Sequence, residues 1–186
     1  VVVLLTFIDR ASIGLAAPSL IHDVGLTRQE VGLASALMFV TYGVFMMPSA
    51  LLFSRLGIGR WIGVIVIAWG VVTAATAAAT TPGALYACRL ALGAAEAGTM
   101  PGCWFLLSRF VPENEMAYAY SFPLAFTAAA QVIGGPLAAL FLGPLHNVGG
   151  LRGWQWLFLG EGGCVCGGGR GRGARPARVG TPKKTP

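Results

Sequence analysis

Apolar runs long enough to cross a bilayer alternate with short polar breaks along nearly the whole chain. About 20 consecutive apolar residues span the hydrocarbon core. On that measure residues 1–21, 31–53, 61–80, 82–110 and 117–142 each read as a membrane-spanning helix. The breaks are short and carry turn chemistry. Thr27 with Glu30 three residues on is a capping-box pattern at the entry to the second span. Residues 54–60 (Ser-Arg-Leu-Gly-Ile-Gly-Arg) read as a tight connection between antiparallel neighbours, and Thr81-Pro82-Gly83 as a minimal turn. Residues 108–116 and 143–153 are loops. A sixth span opens at Trp154 with tryptophans of the kind that line membrane interfaces. After Gly163 the composition turns to Gly, Arg, Ala and Pro, which leaves only about 12 apolar-leaning residues, too few to cross.

The apolar runs are not uniformly apolar. The fourth contains Arg89 and Glu96, seven residues apart and therefore close to two turns of helix, so both project from one face about 10 Å apart along the axis. A charge at the bilayer centre costs roughly 3 kcal/mol on insertion scales. This face is therefore expected to line a polar cavity between helices, with helix–helix adhesion as the plainer alternative. Asp9 and Arg10 lie in the middle of the first span. Neighbours diverge by about 100° around a helix, so the two can border one cavity without sharing a face, or neutralise each other locally. Tyr42 in the second span and Gln131 in the fifth are further candidates for hydrogen bonding in the cavity, or for packing between helices. Pro101 is expected to kink the fourth span, and Gly98-x-x-x-Gly102 to admit another backbone closely.

Composition agrees with the pattern: 55% of the 186 residues are hydrophobic, 11% are charged and the mean hydropathy is +0.71. An ordinary globular domain carries about 25% charge. The expected class is an all-α polytopic membrane protein. The net charge of +6 belongs to residues 164–186, which hold Arg170, Arg172, Arg175, Arg178, Lys183 and Lys184 and no acid. Residues 1–163 carry seven bases and seven acids. No nucleic-acid partner is expected for this body, and the tail is expected to be a disordered, solvated segment. Cys88 and Cys103 would stand about 22 Å apart on one helix and cannot pair. Cys164-x-Cys166 alone is not a metal site, since structural zinc wants four ligands. No metal or cofactor is expected. No nucleophile–base pair stands out, and His22 and His146 are placed in loops, so the chain is not read as an enzyme.

Four stretches resemble the anion:cation symporter family of the major facilitator superfamily. They are Ile8-Asp9-Arg10-Ala11-Ser12-Ile13-Gly14, Met47-Pro48-Ser49 ahead of Arg55-Leu56-Gly57 and Arg60-Trp61, Arg89-Leu90-Ala91-Leu92-Gly93-Ala94-Ala95-Glu96-Ala97-Gly98, and Gly153-Trp154-Gln155-Trp156-Leu157-Phe158. The match covers residues 1–163 and implies the N-terminal six-helix bundle of a twelve-helix transporter, its sixth helix incomplete, working by alternating access with substrate near the midplane. By position the resemblance makes Arg10 and Arg89 the anion-binding arginines, Asp9 and Glu96 the protonatable carboxylates, Tyr42 a residue beside the substrate, and Arg55, Gly57 and Arg60 a cytoplasmic gating turn. The implied activity is organic-anion transport coupled to protons, or to sodium in some relatives. The chemistry agrees: guanidinium stays charged and grips a carboxylate with two hydrogen bonds, and a carboxyl group in a dry cavity can take and lose a proton as access alternates. Two departures stand out. Ser54 sits where relatives carry an acid, and the second bundle is absent, so a non-transporting truncated protein or an assembly partner is the alternative function.

Loop arginines set the expected orientation. Arg55, Arg60 and Arg109 fall on one side and Arg28 and Arg152 on the other, so the N-terminus and the tail are expected in the cytoplasm. The first apolar run starts without an initiator Met, as in a truncated chain. The switch after Gly163 suggests a shifted reading frame or a mis-spliced end. One of the two other frames of the coding sequence is then expected to restore an apolar span, and the idea is wrong if neither does.

Overall fold

The computed structural model describes residues 2–170, apart from the side chains of residues 2, 53, 54, 56, 58, 113, 124 and 168–170. The Ser54 side chain and residues 171–186, most of the expected tail, therefore lie outside the described residues. The described residues form seven α-helices: α1 Val2–Val24, α2 Arg28–Leu56, α3 Ile58–Thr76, α4 Pro82–Glu96, α5 Thr99–Phe110, α6 Met116–Leu142 and α7 Gly153–Arg170. Among the described residues, five segments are long and apolar enough to cross a membrane, with α4 and α5 together forming one of them over Pro82–Phe110.

Local chemistry explains most helix ends. The Thr27 amide donates to Glu30 Oε2 at 2.7 Å and the Glu30 amide to Thr27 Oγ1 at 3.2 Å, the reciprocal pair of a capping box. Thr81 Oγ1 accepts from the Ala84 amide at 3.2 Å, with Pro82 in the first turn of α4, where its missing N–H costs nothing. Between α2 and α3 only Gly57 is non-helical, at φ +81°, a conformation glycine adopts without penalty. The connection expected over residues 54–60 is thus almost wholly helix. Similarly α1 runs on to Val24, which puts His22 in its last turn and not in a loop. The fourth span breaks at Ala97-Gly98 and not at Pro101 itself. Proline cannot donate back to the carbonyl four residues earlier, which is that of Ala97. Within α5 it occupies the first turn, where no donor is required.

α2 packs mainly on α4, α3 on α7, and α1 on α6 and α7. Glycines set how near these helices come. A Cβ on Gly93 would lie 2.2 Å from the Met38 carbonyl oxygen of α2. A Cβ on Gly162 would lie 2.6 Å from the Gly70 carbonyl oxygen of α3. This second crossing also explains why α7 persists through a glycine-rich stretch of low helix propensity. The helix continues through residues 164–170, where the tail was expected to begin, and buries Val165 beside Val66 and Trp69. Tertiary packing replaces what propensity lacks.

Apolar side chains facing away from the bundle are numerous on α2 and α6, among them Phe39, Val40, Val44, Phe126, Val132 and Ile133. Only 17% and 18% of these two spans is buried within the bundle. Their outer surfaces suit lipid or a further helix layer.

Gly93→Ala should force α2 and α4 apart, because the obstacle is backbone, and destabilise the protein by about 1–3 kcal/mol. Gly63→Ala, with nothing within 4 Å of its added methyl, should be neutral or mildly stabilising. Thermal unfolding in detergent micelles separates the two; equal midpoints would refute the close crossing.

Candidate functional site

The charged residues of the first and fourth spans meet between two apolar clusters, one of them around Leu20, Leu85, Trp154 and Phe158, the other around Met38, Trp69, Leu92 and Val165. Asp9, Arg89 and Glu96 are each no more than 1% exposed. Such burial in an apolar bundle demands compensation from neighbours.

The 100° turn between consecutive residues decides how α1 uses its pair. Asp9 faces α3, where Oδ1 accepts from the Thr73 hydroxyl at 3.3 Å. Arg10 faces the other way, and its Nε donates to Glu96 Oε2 of α4 at 3.2 Å. Its guanidinium carbon also lies 4.5 Å from the Tyr42 ring centroid and 5.7 Å from that of Phe39, both on α2, which is cation–π range. The adjacent acid and base do not neutralise each other; each is engaged by a different helix.

Arg89 occupies the centre. Asp9, Glu161 and Glu96 all act on it electrostatically. Its guanidinium carbon stands 5.2 Å from the Phe158 ring centroid of α7. None of its three side-chain nitrogens has a hydrogen-bond partner among the described residues. Glu96 likewise uses one oxygen on Arg10 and leaves the other unbonded. The site therefore presents two arginines in different states. Arg89 is sealed, whereas the Arg10 side chain is 17% exposed and, with the partly exposed Tyr42, forms the open edge of the cluster.

The break between α4 and α5 follows Glu96 directly. A Cβ on Gly98 would fall 2.4 Å from Ser49 Oγ and 2.7 Å from Trp61 Nε1. Two of the four family-like stretches, the second through Ser49 and Trp61 and the third through Gly98, thus converge on one crossing. The fourth closes the opposite end of the bundle. Gln155 Oε1 accepts from the Arg152 amide at 2.9 Å while its Nε2 donates to the Ala77 carbonyl at 2.9 Å, just past the end of α3. Arg152 itself donates to the Asp23 carbonyl in the last turn of α1.

Not every expected residue joins the cluster. Gln131 lies exposed on α6, and no hydrogen bond ties it to Asp9, Arg89 or Glu96. Arg55, Gly57 and Arg60 are exposed at the α2–α3 connection, remote in sequence and burial from the charged centre. Conversely, Glu161 of α7 is buried at 7% exposure and is hydrogen-bonded to Ser12 of α1. The rule that picks out Asp9 and Glu96, an acid inside an apolar run, also applies to Glu161. The composition switch after Gly163 hides it by making the sixth span look too short to hold a buried acid. Among the described residues no group of three His, Cys, Asp or Glu is placed to hold a metal ion.

Comparison with known proteins places these features in a family. The Major Facilitator Superfamily matches residues 1–166. The chain is 36% identical over 156 residues to the "Putative metabolite transport protein NicT" of Pseudomonas putida, covering 84% of this chain and 36% of that protein. It is 35% identical over 153 residues to a "Putative tartrate transporter" of Agrobacterium vitis, covering 82% of this chain and 35% of the relative. It thus spans about a third of the length of such relatives. In three dimensions it resembles a bacterial homologue of the human lysosomal transporter Spinster in its inward-facing, unoccupied conformation, with a TM-score of 0.79 at 23% identity, over 98% of this chain and 43% of that one. These relatives fit the anion:cation symporter branch that the motifs resemble, and on the match over residues 1–166 the chain, an integral multi-pass membrane protein, belongs to the Major Facilitator Superfamily.

Proposed function

We propose that this chain forms the N-terminal half of a secondary transporter that moves small organic anions with protons by alternating access. A second six-helix bundle supplies the opposite wall of the pathway. The observation that carries the reading is the state of Arg89: a guanidinium sealed in an apolar bundle, with no hydrogen-bond partner on any nitrogen among the described residues. Its planar fork suits a carboxylate, and tartrate, named for one relative, carries two. Arg10 and Tyr42 form the edge an anion would pass first, and Gln131 belongs to the proposed pathway only if that pathway widens toward α6.

Asp9 and Glu96 are the proposed proton carriers. Glu96 is held by Arg10, so an anion that draws Arg10 away leaves Glu96 buried and unpaired, a state that a proton relieves. Anion and proton then load together. Sodium is the alternative coupling ion. In this reading the turn at Arg55, Gly57 and Arg60 lies on the cytoplasmic side, with the N-terminus and the tail.

Joined to a second bundle in one transporter-length chain and reconstituted in proteoliposomes, Glu96→Gln should abolish proton-driven tartrate uptake while retaining tartrate counterflow. Unchanged proton-driven uptake would falsify the carboxylate role. Arg89→Lys should raise the half-saturating tartrate concentration roughly tenfold, as the loss of one charge-assisted hydrogen bond predicts. A wild-type chain that binds no carboxylate anion overturns the anion reading.

A double-mutant cycle on this chain tests the pair itself. Arg10→Ala should cost about 3 kcal/mol by stranding Glu96, and Arg10→Ala with Glu96→Gln distinctly less than the sum of the two. Denaturant titration in micelles reads this; additive losses would show that the pair has no energetic coupling.

A further inference from the structure

Glu161 has no part in the scheme above, yet it sits at the heart of the cluster. Ser12 Oγ lies 2.9 Å from the Ile8 carbonyl oxygen and within hydrogen-bond reach of Glu161 Oε1. A serine hydroxyl has one proton to give. Ser12 Oγ thus faces two acceptors, the Ile8 carbonyl and Glu161, with one proton to give. The bond to the carbonyl four residues back is the ordinary one for a serine inside a helix, and a proton on Glu161 would satisfy both contacts at once.

Counting charge shows independently that this group of acids needs one proton. α1 brings Asp9 and Arg10. α4 brings Arg89 and Glu96, with the Cys88 thiol beside Arg89, and α7 brings Glu161. α3 contributes the Thr73 hydroxyl, its sole charged residue being the exposed Arg60 at its far end, and α6 has no charged residue in its sequence. Arg28 and Arg55 of α2 are exposed at its ends, and Glu30, partly exposed, is held in the capping box with Thr27. Three buried acids thus face two arginines, and an uncompensated buried charge is costly in an apolar bundle. One bound proton removes it.

We propose that Glu161 is a third proton-binding carboxyl group of this site, carrying its proton on the oxygen that faces Ser12. Ionised, Glu161 would compete with an incoming anion for Arg89; protonated, it leaves Arg89 free. Proton at Glu161 and anion at Arg89 then favour each other, and linkage makes the preference mutual. This role in transport rests on the proposed function, whereas the location of the proton does not.

Infrared spectroscopy of the full chain in lipid nanodiscs at neutral pH tests the location directly. The carbonyl stretch of a protonated carboxyl group should be present in the wild type and lost in Glu161→Gln. In Ser12→Ala it should persist but move to higher frequency, because only a proton on Glu161 feels Ser12. Ser12→Ala also decides the matter if Glu161→Gln does not fold. A wild type without the band, a band undiminished in Glu161→Gln, or a band unmoved in Ser12→Ala overturns the assignment. None of these readouts involves uptake, so a failure here and a failure of the transporter reading are distinguishable.

Discussion

Charge buried in an apolar bundle is the constraint on which this arrangement depends. Five ionisable side chains from three helices lie where neither water nor lipid headgroups can solvate them fully. Four of the five find a hydrogen-bonding counterpart in another helix. Arg10 reaches Glu96 on α4, Asp9 reaches Thr73 on α3, and Glu161 on α7 meets Ser12 on α1. These links hold α1 among α3, α4 and α7 more specifically than apolar packing could, since lipid tails are as apolar as leucine and offer little reason for one helix to prefer another.

Such short-range contacts need backbones that come close, and glycine provides for that. Gly93 lets α4 settle onto α2, Gly70 and Gly162 bring α3 against α7, and Gly98 admits Ser49 and Trp61 beside the break that follows Glu96. The motifs that carry the family likeness therefore divide into two kinds. Asp9, Arg10, Arg89 and Glu96 supply charge. Gly93, Gly98, Ser49, Trp61 and the Arg152–Gln155 segment supply the geometry that places it. The Gln155 side chain illustrates the second kind, since it caps its own helix and ties the end of α3 in the same stroke.

The two arginines differ in a way that matters for any ligand. Arg89 is sealed beneath the Phe158 ring, while Arg10 lies at an edge among Phe39, Tyr42 and Phe7. In the proposed pathway an approaching anion would meet the aromatic-flanked, partly exposed charge before the buried one. Because Arg10 is also the partner of Glu96, a change at the edge is felt at once in the interior. That coupling is electrostatic and local, and it needs no large rearrangement within this half.

Hydropathy alone locates five spans, because a bilayer imposes a length and a composition that any sequence must meet. The capping box at Thr27 and Glu30 and the positive-φ turn near Gly57 are equally local, so they too are readable residue by residue. An acid or base within an apolar run announces itself by its cost, which is why Asp9, Arg10, Arg89 and Glu96 stand out unaided. What tertiary structure alone decided is who faces whom. Spacing shows that Asp9 and Arg10 diverge, but only packing sends one to Thr73 and the other to Glu96, and only packing leaves Gln131 outside. The glycine-rich start of the supposed tail becomes helix because α3 offers Gly70 and Ala74 to receive it, and with that helix Glu161 enters the core. Helix propensity is a property of a segment, whereas a buried contact is a property of two, and no single segment carries the second.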